Sequence, residues 1–87
     1  MLTFEHSNSD GKIEIHLDEK GIDELTKILS SLSKQANSEH SHLMTKEWGG
    51  SELSSEKQNI SDNFELINHV KIMFWKECRV GKGESHP

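Results

Sequence analysis

His40-Ser41-His42 places two imidazoles two residues apart, and on an extended strand that spacing turns both rings to the same side, as metal ligands sometimes are. His69, on a later apolar segment, is the candidate third ring. The alternative is a polar face of surface or hydrogen-bonded histidines, which six His in the chain supply readily. Other chemistries have less behind them. Cys78 is the single cysteine, so an internal disulfide framework and a cysteine-based zinc site are excluded, and a reducing compartment is favoured. The serines have no Gly-x-Ser-x-Gly context. Glu47 and Glu52 could pair as acid and base, but 87 residues offer little material to enclose a substrate around them. Trp48-Gly49-Gly50 lacks the lysine and the following helix pattern of a phosphate-cradling loop. The chain is therefore expected to need no cofactor and to carry no catalytic residue.

The elements that must position these groups follow from periodicity. Leu2, Phe4 and His6 alternate with Thr3 and Glu5, and Ile13, Ile15 and Leu17 alternate with Glu14 and His16. The intervening SNSDGK predicts a hairpin turn at Asp10-Gly11, a pair that readily adopts positive φ. Ile22, Leu25, Ile28, Leu29 and Leu32 then recur at helical spacing. Either Asp18 caps this helix or Gly21 ends the turn before it, and the helix runs to about Ala36-Asn37. Residues 38–45 read as a strand, and the Gly, Ser and Asn crowded after Trp48 read as a long connection, with room for a brief helical turn. FELINHVKIMFWKE is the last element, with Leu66, Val70, Ile72 and Phe74 on one side and Ile67, His69, Lys71, Met73 and Trp75 on the other. The order is β-β-α-β-β. It predicts an α+β fold in which one helix packs on one face of an antiparallel sheet of about four strands. Residues 1–78 form one domain on this reading, and residues 79–87 a mobile tail.

Composition narrows the partners. The net charge of −5 is unevenly spread: residues 1–65 hold 13 Asp/Glu against 6 Lys/Arg, and residues 66–87 hold 2 against 4. An acidic body repels phosphate backbones and attracts basic surfaces, so direct nucleic-acid binding is disfavoured and a basic protein partner fits. No apolar run is long enough to span a bilayer, and MLTFEHSNSDGK lacks the basic and apolar regions of a signal peptide, so a cytoplasmic location is expected.

Two features could serve such a partner. The outward sheet face should show Glu5, Glu14, His16, His69 and Lys71 with Ile67, Met73 and Trp75, a mixture of acids and large apolar groups suited to protein contact. Met73 and Trp75 could instead fold over a sheet edge or pack against the long connection. Trp48 either anchors its loop on the core, with the glycines giving the backbone room to turn, or stands as an interface anchor rimmed by Glu47 and Glu52. Self-association through the exposed sheet face, giving a homodimer, is a further option.

GIDELTKIL, followed by HSHLMTKEWGGSEL and LINHVKIMFW, resembles the bacterial immunity protein 32 family over about Gly21 to Trp75. The most specific pieces are His42-Leu43 with Trp48-Gly49-Gly50 and Leu53, then Asn68-His69-Val70. The resemblance implies a small protein encoded beside a polymorphic or contact-dependent toxin, which binds the toxin domain inside the producing cell and blocks it without chemistry of its own. It carries over His42, Trp48, Gly49, Gly50 and His69 as family-typical positions. The acidic body fits a basic, nuclease-like toxin. The toxin-binding residues expected on this basis are Glu5, Glu14, Glu47, Trp48, Glu52, His69 and Trp75, and the alternative function is a metal-binding or regulatory domain built on His40, His42 and His69.

Overall fold

The computed structural model of the chain describes residues 1–76. The expected tail, and Cys78 with it, lie outside the described residues. β1 (Leu2–Ser7) and β2 (Ile13–Leu17) form the expected hairpin, pairing Leu2 with Leu17, Phe4 with Ile15 and His6 with Ile13. Its turn needs positive φ at one position, and Gly11 supplies it at 68°.

Helix α1 (Glu19–Ser33) starts at the earlier of the two expected positions, with Asp18 as its cap: the Asp18 carboxylate accepts the Gly21 N–H at 2.8 Å. Gly21 therefore lies within the first turn, tight against the chain start. A Cβ there would sit 2.0 Å from the Met1 carbonyl oxygen, which accepts the Asp18 N–H at 3.1 Å. The helix stops three residues or so before the expected Ala36-Asn37, with Lys34 and Gln35 donating to Ser31 and Leu32 in a tightened final turn. Past Leu32 the sequence SKQAN offers no large apolar side chain to hold another turn on the core.

The α+β class and the strand order hold, but the sheet is divided. β2-β1-β4 form one antiparallel sheet, with β4 at Phe64–Leu66; β3 (Glu39–Met44) and β5 (His69–Phe74) form a second. The single last strand expected within FELINHVKIMFWKE breaks at Ile67-Asn68. The Ile67 N–H still donates to Phe4 of β1 at 2.8 Å, whereas the Asn68 carbonyl accepts from Thr45 at 3.0 Å and its side-chain oxygen takes the Thr45 hydroxyl at 2.7 Å. Asn68 thus hands the chain from one sheet to the other.

Leu2, Leu43 and Leu53 are buried at the junction, one each from β1, β3 and the long connection, with Phe4, Leu17, Leu25, Ile28, Val70 and Ile72 packed around them. α1 lies against β2 and β3, so its apolar stripe closes both sheets at once. The cover is partial: Ile13, Ile15, Ile22 and Leu29, all expected to face the core, remain about half exposed.

Candidate functional site

Directly opposed residues of an antiparallel pair share a face, and the β3–β5 register sets His42 against Lys71, Met44 against His69 and His40 against Met73. Leu43, Val70 and Ile72 take the opposite, core-facing side. The spacing of His40 and His42 on β3 and the alternation along β5 therefore bring His40, His42 and His69 together on one outer face, as the sequence suggested. His42 lies diagonal to His69. Its Nδ1 meets His69 Nε2 at 2.7 Å, and the ring centroids are 4.9 Å apart. His40 stands edge-on to His42, also at 4.9 Å.

Trp48 extends this face. A single 3₁₀ turn, Lys46–Trp48, follows β3 and ends on Gly49 at φ 94°, a left-handed conformation suited to glycine. Gly50 then passes so close to β3 that a Cβ would lie 2.5 Å from the Met44 carbonyl oxygen and 2.7 Å from the Met44 Cβ. The two glycines shape the loop as expected, but Trp48 is not its core anchor. Its side chain is 58% exposed and its ring centroid lies 6.2 Å from that of His69. The residue that pins the loop to the core is Leu53, 4% exposed, whose backbone bridges to Thr45. Met73 of β5, 44% exposed, and Trp75 just past the strand's end, 61% exposed, continue the surface.

The acids are placed differently from the expectation. Glu5, predicted on the outward face, is fully buried, because the polar side of β1 is roofed by the connection after Leu53. Its carboxylate accepts the Thr3 hydroxyl at 2.7 Å and the N–H groups of Gln58 and Asn59 at 2.8 and 2.9 Å. Burial alone would raise its pKa; these donors, with His16 nearby, outweigh burial and hold it below the ordinary value. Glu14 is half-buried and accepts from the Asn59 amide and, at 2.9 Å, pairs with His16. Glu52 accepts the Met44 N–H at 3.1 Å, tying the glycine loop back to β3. Only Glu47 combines exposure with a place next to Trp48, and it accepts the Ser55 hydroxyl at 2.6 Å. Glu5, Glu14 and His16 therefore belong to the first sheet, and His69, Lys71 and Met73 to the second; the one mixed face expected from alternation does not form.

The reason is the fate of the long connection. Thr3, Glu5 and Ser7 alternate as an outward face would, and nothing in that pattern tells solvent from a roof of backbone donors. No local signal marks the roof, since the donors from Gln58 and Asn59 are backbone N–H groups that every residue but proline carries. The proximity of Trp48 to His69 had no signal at all, since it depends on strand register.

Among the described residues, no group of three or more His, Cys, Asp and Glu is disposed to hold a metal ion. The rings of His42 and His69 point at each other, and those of His40 and His42 meet edge to face. Desolvation beneath neighbouring groups, together with His40, His69 and Lys71, lowers the pKa of His42, which favours its neutral form. The grooves lined by described residues are open, such as the one between α1 and the start of β3 that includes Lys27, Ile28, Glu39 and His40. No helix among them is long and apolar enough to cross a membrane.

Fold and face define a small α+β protein with an exposed surface of tryptophan, methionine and imidazole. In comparisons with known proteins, no family model, curated protein or solved structure matches the chain.

Proposed function

We propose that the chain acts by binding another polypeptide through the outer face of β3–β5, and that this partner is a bacterial toxin domain which it neutralises by occlusion in the cytoplasm of the producing cell. The observation that carries the reading is the exposure of Trp48, Met73 and Trp75, large side chains held on a strand, its extension and a tight turn, around a cluster of imidazoles. Tryptophan dominates binding energy at protein interfaces out of proportion to its abundance, and a rigid strand presents it at low entropic cost. His69 sits inside this surface and Glu47 at its rim. Glu14 and Glu52 contribute mainly long-range charge, and Glu5 has no surface to offer. The acidic first 65 residues steer a basic partner toward the molecule. No bond is made or broken on this reading.

The test is co-expression with the product of the adjacent reading frame, scored by cell survival and by co-purification. Survival that depends on this chain, and that fails with Trp48→Ala and Met73→Ala together, supports the proposal. Equal killing in its presence ends it.

A further inference from the structure

The contact between His42 Nδ1 and His69 Nε2 has an alternative use. We propose that these two side chains form a two-imidazole chelate for a divalent transition-metal ion of the zinc class. Two ring nitrogens converge from adjacent strands, 2.7 Å apart. In a tetrahedral site with bonds of 2.0–2.1 Å, two imidazole nitrogens stand about 3.3 Å apart, so the rings need to part by roughly 0.6 Å to admit the ion. Both side chains are exposed, and small χ rotations supply that opening. The hydrogen bond requires one ring to carry its proton on the contacting nitrogen. On coordination that proton moves to the far nitrogen of the same ring, Nε2 of His42 or Nδ1 of His69, which frees the contacting nitrogen for the ion.

The surroundings act in both directions. His40 packs edge-on against His42 and limits how far that ring can turn away. Lys71, opposite His42 in the register, disfavours a second positive charge. The two side chains supply two ligands, and water completes the coordination. The inference is independent of the toxin reading, since it concerns the isolated chain.

The experiment is calorimetric titration of the full chain, purified without an affinity tag, with zinc chloride in a non-coordinating buffer. His42→Ala and His69→Ala are expected each to weaken binding at least tenfold, while His6→Ala leaves it unchanged. A smaller loss in either of the first two, or no binding by the parent chain up to about 1 mM zinc, overturns the proposal. Histidine ring signals in NMR give a second readout on the unmutated protein. Zinc must shift or broaden those of His42 and His69 ahead of His6, and unmoved signals refute the site without any variant.

Discussion

The carboxylate of Glu5 accepts the backbone N–H of Gln58 at 2.8 Å, a bond between residues 53 positions apart that fixes the long connection over the first sheet. Removing the carboxylate leaves the Gln58 and Asn59 N–H groups and the Thr3 hydroxyl without their acceptor in a buried place. Glu5→Ala is therefore expected to cost about 3 kcal/mol, which lowers Tm by more than 10 °C in a domain of roughly this size. Glu5→Gln, which keeps one acceptor oxygen, costs less. The sign with pH follows from the lowered pKa. Glu5 titrates below its ordinary value of 4.5 when folded, so its contribution is complete above 4.5 and is lost as pH falls through the lower folded value. Thermal melts of the parent chain and Glu5→Gln from neutral pH to about pH 3 check this; parallel curves would remove Glu5 from the acid transition.

Gly21 and Met1 define a second constraint. Glycine inside an exposed helix normally costs about 1 kcal/mol relative to alanine, so Gly21→Ala would be a routine stabilising change. Here the added methyl would stand 2.0 Å from the Met1 carbonyl oxygen and 3.0 Å from the Leu17 Cβ. Backbone cannot yield as a flexible side chain does, and overpacking of this kind costs about 1–3 kcal/mol. Gly21→Ala is expected to lower Tm, and an increase would show that the start of the chain moves freely.

What the sequence made legible divides along one physical line. Alternation and helical spacing act within a few residues, and they gave the hairpin turn at Asp10-Gly11, α1, β3 and the inward set Val70, Ile72 and Phe74, while the start of α1 stayed open between an Asp18 cap and a turn ending at Gly21. The grouping of His40, His42 and His69 also followed, because a strand's period of two fixes the side that each ring takes. Contacts set by distant partners were not legible. Asn68 breaks the last strand because Thr45 grips it, and Glu5 is buried because Gln58 and Asn59 come back over it; neither partner is marked by local pattern. Trp48 was ambiguous for a related reason: Gly49 and Gly50 fit a loop anchored by tryptophan, but Leu53 does the anchoring.

Trp48 separates stability from binding. Its exposed ring touches the surface more than the core, so Trp48→Ala is expected to change stability by no more than about 0.5 kcal/mol, as for surface substitutions generally. The same variant should raise the off-rate from the partner at least tenfold, the behaviour of an interface anchor. Paired melting and surface-binding measurements decide between the two roles. A large fall in Tm would return Trp48 to the core and remove it from the proposed face.

Glu47 and Glu52 lie five residues apart in sequence and should behave differently. Glu52 holds the Met44 N–H, so Glu52→Ala is expected to cost about 1 kcal/mol and to loosen the glycine loop. Glu47 is exposed, and Glu47→Lys should leave the melt almost unchanged while slowing association with a basic partner and weakening its dependence on salt. Stopped-flow association at two ionic strengths measures this. An unchanged on-rate would show that Glu47 does not face the partner.

His42 provides the last prediction. Desolvation comes first among the causes that lower its pKa, followed by repulsion from His40, His69 and Lys71. Removing His69 relieves part of both effects, so His69→Ala is expected to raise the His42 pKa toward its ordinary value of 6.5. The folded state resists protonation of His42 more than the unfolded chain does. Its contribution to stability is accordingly present above 6.5 and is lost as pH falls through the lower folded value, the direction opposite to a histidine paired with an acid. A pH titration of the His42 ring by NMR, in the parent chain and in His69→Ala, measures both values. A parent value at or above 6.5, or a fall on removing His69, would mean that the rings stand apart in solution and that the 2.7 Å contact does not govern this face.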